Sequence, residues 1–237
     1  MKKSQTVDYH DTNVNLQAYC AYPEILKDKI PAVLICHDWT GRSETACKKA
    51  EQIAELGYIG FALDMFGDAK LGETTEEKSA LIQPFVQDRK KLLQRIVAGL
   101  DALRQLPQVD QHHIAVIGFC FGGLCALDLA RSGADIKGAV SFHGLLQAPE
   151  HPSRAQIKAK ILVLHGYDDP MVTPDHVIAF ANEMTHAKVD WQIDIYSNTQ
   201  HAFTNQLAND EKLGTVYNKR ADQRSWVAMK DFFAEIM

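Results

Sequence analysis

GFCFGG, residues 118–123, closes the apolar run HIAVIGF (113–119) and opens a stretch of helical character. Gly118-Phe119-Cys120-Phe121-Gly122 has the form G-x-S-x-G with cysteine in the place of serine, the sharp strand-to-helix turn that holds a nucleophile strained and exposed. Glycines flank the cysteine where neighbouring backbone comes too close for a Cβ. The helix start behind Cys120 offers unsatisfied N–H groups and the positive end of a dipole, which favour a thiolate and a developing oxyanion. The plainer readings are a tight connection, or a phosphate cradle with an inert cysteine beside it. Choosing between them takes the rest of the chain.

Outward from that turn, further apolar runs of strand length recur: AVLIC (32–36), GYIGFAL (57–63), GAVSF (138–142) and KILVLHG (160–166). Unbroken runs of this kind suit strands covered on both faces. Helical patterns lie between them, clearest from Phe85 to Leu106, where Leu92, Leu93, Ile96, Val97, Leu100 and Leu103 recur at three- and four-residue steps. The alternation predicts an α/β fold: a mostly parallel, doubly wound sheet with helices on both faces. VNLQAYCAY (14–22) breaks the rhythm and reads as an antiparallel N-terminal strand. No repeat or Pro/Gly linker divides the 237 residues, so a single domain over 1–237 is expected. The charged stretch 67–91, whose first half has little apolar periodicity, is expected to run over the sheet edge and shape a pocket mouth.

A hydrophobic fraction of 46% fits a globular chain, and a formal charge of −5 argues against a nucleic-acid partner. No apolar run follows the opening lysines and none elsewhere is long enough for a bilayer, so neither a secretory leader nor a membrane partner is expected and the cytoplasm is the default location. The cysteines Cys20, Cys36, Cys47, Cys120 and Cys125 are odd in number and contain no C-x-x-C pair, which argues against a disulfide framework or zinc knuckle. His37, His143, His165 and His201 would all approach the carboxyl edge of the sheet, but none is paired at the H-x-x-x-H spacing, and no metal is expected.

A nucleophile elbow of this kind predicts an acid and then a histidine downstream, each at a strand's carboxyl end. KILVLHGYDDPMVTP puts Asp169 just beyond one strand, and DWQIDIYSNTQHAFTN puts His201 just beyond the next. Singly, an aspartate before proline is a common turn former and a histidine after a polar loop an ordinary surface residue. Together, in this order, they point to nucleophilic catalysis by Cys120 with Asp169 and His201. Asp169 is preferred over Asp168 because it is the acid next to the proline.

Through AVLICHDWTG, GFCFGG, HGYDDPMV and HAFTN the chain resembles the dienelactone hydrolase family of α/β hydrolases over nearly its whole length. The resemblance implies an α/β-hydrolase fold with nucleophile Cys120, acid Asp169 and base His201, and an oxyanion hole made by the backbone N–H groups of Trp39 and Phe121. The family's early-loop glutamate, which bonds the resting thiol, is replaced here by Asp38, a candidate gate on that thiol. Two arginines that bind the substrate carboxylate fall on Asp68 and Asn205, which argues for neutral esters, although Lys70 and Arg42 lie near enough in sequence to supply a cation.

The chemistry expected is hydrolysis of a small-molecule ester or lactone through a thioester, without cofactor. The alternative is a binding or thiol redox-sensing protein on the same fold, against which the presence of an acid and a base speaks. Oligomeric state is not readable.

Overall fold

The computed structural model describes residues 2–25, 28–151, 153 and 155–237. They form two compact units, Met1–Ile117 and Gly118–Met237.

In the first unit β1 (Lys2–Asp11) and β2 (Val14–Pro23) make an antiparallel hairpin, with Thr12 at φ 54° in its two-residue turn. β3 (Ile30–Cys36), α1 (Glu44–Glu55), β4 (Ile59–Ala62), α2 (Thr75–Gln87), α3 (Arg89–Arg104) and β5 (Val109–Phe119) follow. The strand order is β1-β2-β4-β3-β5, with β2 antiparallel to β4 and β3 parallel to it. The sequence pattern foresees one antiparallel strand, and the structure has two. The first five residues of β1 are solvated on both faces, so no alternation marks them.

Side-chain parity places helices on opposite faces. A Cβ on Gly60 would sit 2.3 Å from the Ala50 carbonyl of α1, whereas Leu63, three residues on, meets Gly99 of α3. The helical stretch expected from Phe85 to Leu106 is two helices broken at Asp88. That aspartate leaves the helical region and caps α3, its Oδ1 accepting from the amides of Lys90 (3.0 Å) and Lys91 (3.1 Å). The expected irregular excursion is also half helix: Thr74 and Glu77 form a capping box that starts α2, in which Phe85 alone is buried. Its signal was polar because its surface is solvated. Asp64 is fully buried and accepts four backbone amides, from Gln17, Phe66, Gly67 and Ala69. Buried Arg95 binds Asp11 at 2.8 Å and the Met65 carbonyl at 2.6 Å.

The second unit begins with the last two residues of β5 and continues through α4 (Phe121–Arg131), β6 (Gly138–Phe142), β7 (Lys160–Gly166), α5 (Pro174–His186) and β8 (Trp191–Tyr196). β9 (Asn209–Asp210) and β10 (Thr215–Val216) form a separate small pair, and α6 (Lys219–Ile236) closes the chain. The order is β5-β6-β7-β8, with β6, β7 and β8 mutually parallel. Gly123 of α4 lies against Ser141 and Gly138 against Phe232 and Ile236 of α6, so β6 is covered on both faces. At the far end of α4, buried Arg131 is bonded to Asp128, to both oxygens of Glu183 in α5 and to the Leu146 carbonyl.

Candidate active site

Cys120 stands between β5 and α4 with φ 55° and ψ −116°, a left-handed conformation that costs a β-carbon residue about 1–3 kcal/mol. It is held there from both sides. Its amide donates to the Phe142 carbonyl at 3.0 Å, and a Cβ on Gly118 would fall 1.8 Å from the Gly122 carbonyl oxygen, so the turn closes only on glycine. The thiol is partly exposed, whereas Cys20, Cys36 and Cys125 are buried. Burial pushes the Cys20 thiol up to about 12 and that of Cys36 upward as well, so neither ionises near neutral pH.

Asp169 lies three residues past β7. Its Oδ1 accepts from the amides of Met171 (2.8 Å) and Val172 (3.3 Å), which leaves Oδ2 for His201 Nδ1 at 2.7 Å. Both partners are about 2% exposed or less. Asp168 is exposed, and what it contributes here is a backbone bond from its amide to the Thr199 carbonyl. Gly166 is required at the mouth of this loop because a Cβ would lie 2.4 Å from the same carbonyl.

His201 is fixed through its backbone: its amide donates to Gly214 and its carbonyl accepts from Val216, so β10 and its approach hold the residue. Gly214, at φ 72°, packs against Pro170, next to Asp169. Burial by itself would lower the His201 pKa. The charge of the Cys120 sulfur and the Asp169 hydrogen bond, with the weaker pull of the sulfur as a hydrogen-bond acceptor, outweigh it and raise the value to about 10. Nε2 is nevertheless buried without a hydrogen bond of acceptable geometry. The sulfur acts on the ring chiefly as a nearby charge.

Two further histidines, which the sequence raises only as remote metal ligands, lie close by. His143 Nε2 is 2.8 Å from Thr204 Oγ1, and its ring packs edge-on to His201 at 5.2 Å between centroids. His165 is buried, and burial lowers its pKa, so it is a neutral neighbour of the Asp169–His201 pair. The histidine-glycine dipeptides that end the runs SFHG and VLHG are the only sequence trace of these residues. In the first unit both nitrogens of His37 are engaged, Nδ1 with the Asp38 carbonyl at 2.6 Å and Nε2 with the Met65 amide at 3.2 Å. Among the described residues no group of three or more histidines, cysteines or carboxylates is arranged to hold a metal ion.

Asp38 and Trp39 belong to the first unit. The Asp38 carboxylate turns back on its own loop, Oδ1 accepting from the Thr40 amide at 2.8 Å. The Trp39 amide makes no hydrogen bond with a described residue, and its ring lies 5.7 Å from the Lys78 ammonium. Phe121, the other expected oxyanion donor, is the first residue of α4. Asp68 sits at φ 50° in the turn behind Asp64, and Asn205 uses Oδ1 to accept from the Leu207 amide at 3.0 Å. Among the described residues no helix is long and apolar enough to cross a membrane.

A mostly parallel sheet with an elbow at one strand end, and a buried aspartate–histidine pair at later ones, is the arrangement of the α/β-hydrolase fold, and comparison with solved structures bears this out. The crystal structure of P91, a dienelactone hydrolase-like promiscuous phosphotriesterase from metagenomic libraries, superposes with a TM-score of 0.94 at 36% identity, covering 99% of this chain and 98% of that one. More narrowly, the chain belongs to the dienelactone hydrolase family, whose model matches residues 16–237. Relatives include a putative carboxymethylenebutenolidase of Aquifex aeolicus, 25% identical over 97% of each chain. A probable 2-oxo-3-(5-oxofuran-2-ylidene)propanoate lactonase of Bradyrhizobium is 27% identical over 93% of this chain and 90% of its own. Its family makes the protein an ester or lactone hydrolase.

Proposed function

We propose that the protein hydrolyses neutral carboxylic esters or lactones through a thioester on Cys120, with His201 as acid and base and Asp169 as its orienting partner. The observation that carries this reading is the 2.7 Å bond between His201 Nδ1 and buried Asp169, in the unit whose elbow presents Cys120. In the resting site the raised His201 pKa favours the imidazolium. The sulfur attacks the carbonyl carbon, and the C=O electron pair moves onto oxygen, within reach of the amide that opens α4. The family resemblance supplies Trp39 as the second donor.

Collapse breaks the ester C–O bond, and the alkoxide takes the Nε2 proton. His201, now neutral, accepts a proton from water as the hydroxyl adds to the thioester, and the thiolate departs. The Asp169 carboxylate holds the ring orientation and its charge throughout. Esters suit a sulfur nucleophile better than amides, because the tetrahedral intermediate expels thiolate before an unprotonated amine. The absence of arginine at positions 68 and 205 supports a neutral acyl group. None of the five cysteines is in a disulfide, which suits the reducing cytoplasm.

The test is a panel of chromogenic acyl esters and lactones, each in neutral and acidic form, assayed before and after thiol alkylation. Turnover that alkylation abolishes, with an acyl adduct on Cys120 in the intact mass, supports the reading. Turnover that survives alkylation overturns it, and absence of turnover with reversible peroxide oxidation of Cys120 turns it toward redox sensing. The likeness to P91 places a neutral phosphotriester in the same panel as a second electrophile for this thiol.

A further inference from the structure

The residue that follows β6 is a buried histidine beside the Asp169–His201 pair, and none of the steps above uses it. We propose that His143 and Thr204 form a positioning pair that fixes the plane of the His201 ring for proton transfer; the proposal rests on His201 being the acid and base of the reaction.

His143 carries two costs that packing alone does not call for. Its backbone has φ 40°, a left-handed conformation that a β-carbon residue keeps only where its surroundings hold it. Its imidazole is about 2% exposed, so its nitrogens have given up water. The ring stands between Phe119, 6.2 Å away between centroids, and Phe203, 5.0 Å away. A phenyl ring would suit those neighbours and bring no polar atom to satisfy.

The attachments of this residue explain the strain. Its amide donates to the Leu164 carbonyl of β7 at 2.9 Å, and the carbonyl before it, that of Phe142, accepts from the Cys120 amide at 3.0 Å. A Cβ on the next residue, Gly144, would lie 2.8 Å from Gly123, which seats the turn on the helix behind Cys120. One strand end therefore fixes the elbow through its backbone and reaches His201 through its side chain. The two imidazole rings lie 5.2 Å apart between centroids, at 64° between planes. His143 Nε2 is 2.8 Å from the hydroxyl of Thr204, which is buried in the turn closed by the Asn205 amide on the Ala202 carbonyl.

The Asp169 bond pins one atom of the His201 ring. Coupled χ1 and χ2 changes can still rock the ring about that bond and carry Nε2 away from the reacting atoms, a misplacement to which rate is steeply sensitive. A second ring set edge-to-face against the first blocks that motion. A hydroxyl is the fitting anchor for it, because it donates to Nε2 and keeps His143 neutral. A carboxylate in its place would favour a second imidazolium, opposed by the charge of His201.

The experiment compares the full-length wild type with Thr204→Val, Thr204→Ser, His143→Phe and the double variant His143→Phe with Thr204→Val. Each is followed by steady-state ester kinetics and by proton NMR of the His201 Nδ1–H, with the fold checked by circular dichroism. Thr204→Val keeps the shape and removes the hydroxyl; it should lower kcat roughly 10- to 100-fold, leave KM within about twofold and broaden the Nδ1–H resonance. Thr204→Ser should restore a sharp resonance and bring kcat within about threefold of the wild type. His143→Phe should lose as much as Thr204→Val, and the double variant no more than either, since the two act as a unit. Wild-type kcat with a sharp resonance in Thr204→Val, equal losses in the valine and serine variants, or losses that multiply in the double variant would each overturn the pair. A resonance that broadens in Thr204→Val and sharpens in Thr204→Ser, in a protein that turns over no ester, would sustain the brace on the ring and overturn the ester reading instead.

Discussion

Each unit places a buried aspartate just past the end of a parallel strand, and the two are used in opposite ways. Asp64, two residues beyond β4, spends both oxygens on four backbone amides and so ties its own loop into a knot. Asp169, three residues beyond β7, spends one oxygen on two amides and keeps the other for an imidazole. Burial and strand-end position are common to both. A carboxylate saturated by backbone stabilises a loop, and one left with an oxygen to spare can orient a side chain that changes its protonation state.

The comparison breaks most visibly at Asp169. Asp169→Asn should lower kcat by roughly 10³- to 10⁴-fold, since the amide no longer holds the ring in its working tautomer, while Asp168→Asn stays within about twofold. A larger loss at 168 in steady-state kinetics would reverse the assignment. Asp64→Ala should cost about 3–5 kcal/mol in denaturant unfolding, because four amides lose their acceptor, yet leave kcat per folded molecule near wild type. A selective loss of kcat there would dissolve the contrast between the two carboxylates.

Acidity sharpens it further. Because the folded His201 pKa lies above its ordinary 6.5, the pair's contribution to stability is complete below that pH and is lost as pH rises through about 10. Nitrogen chemical shifts of the imidazole should therefore show the charged form at neutral pH in the wild type. In Cys120→Ala, which removes the largest influence raising the pKa, burial should bring the titration well below the wild-type value. The smallest effect is expected at Asp38: with its carboxylate capping Thr40, Asp38→Asn should be alkylated at Cys120 at the wild-type rate, and faster alkylation near neutral pH would reinstate it as a gate.

Much of this was legible in the sequence where burial leaves a mark. The runs around Leu34, Val116, Val140 and Val163 are strands because their residues are covered on both faces, and the elbow is legible because only glycine tolerates the approach at position 118. β1 was not, because its outer half is solvated, and β9 and β10, at two residues each, are too short for any period to register. Asp169 was legible through its proline neighbour. The way β10 grips His201 was not, since its bonds to Gly214 and Val216 join backbones across a loop that includes β9, and no side chain encodes them.

The arginine at the end of α4 has a bearing on how the protein meets heat. Arg131 is about 5% exposed, and its ties to Asp128, Glu183 and the Leu146 carbonyl leave no cheap way to loosen one strut at a time, because each broken tie strands charge away from water. The far end of the helix behind Cys120 thus opens with its whole surroundings or stays shut. On warming, catalytic competence should not fade ahead of the fold; the two should disappear in the same narrow interval, with no dormant but still folded form accumulating between them.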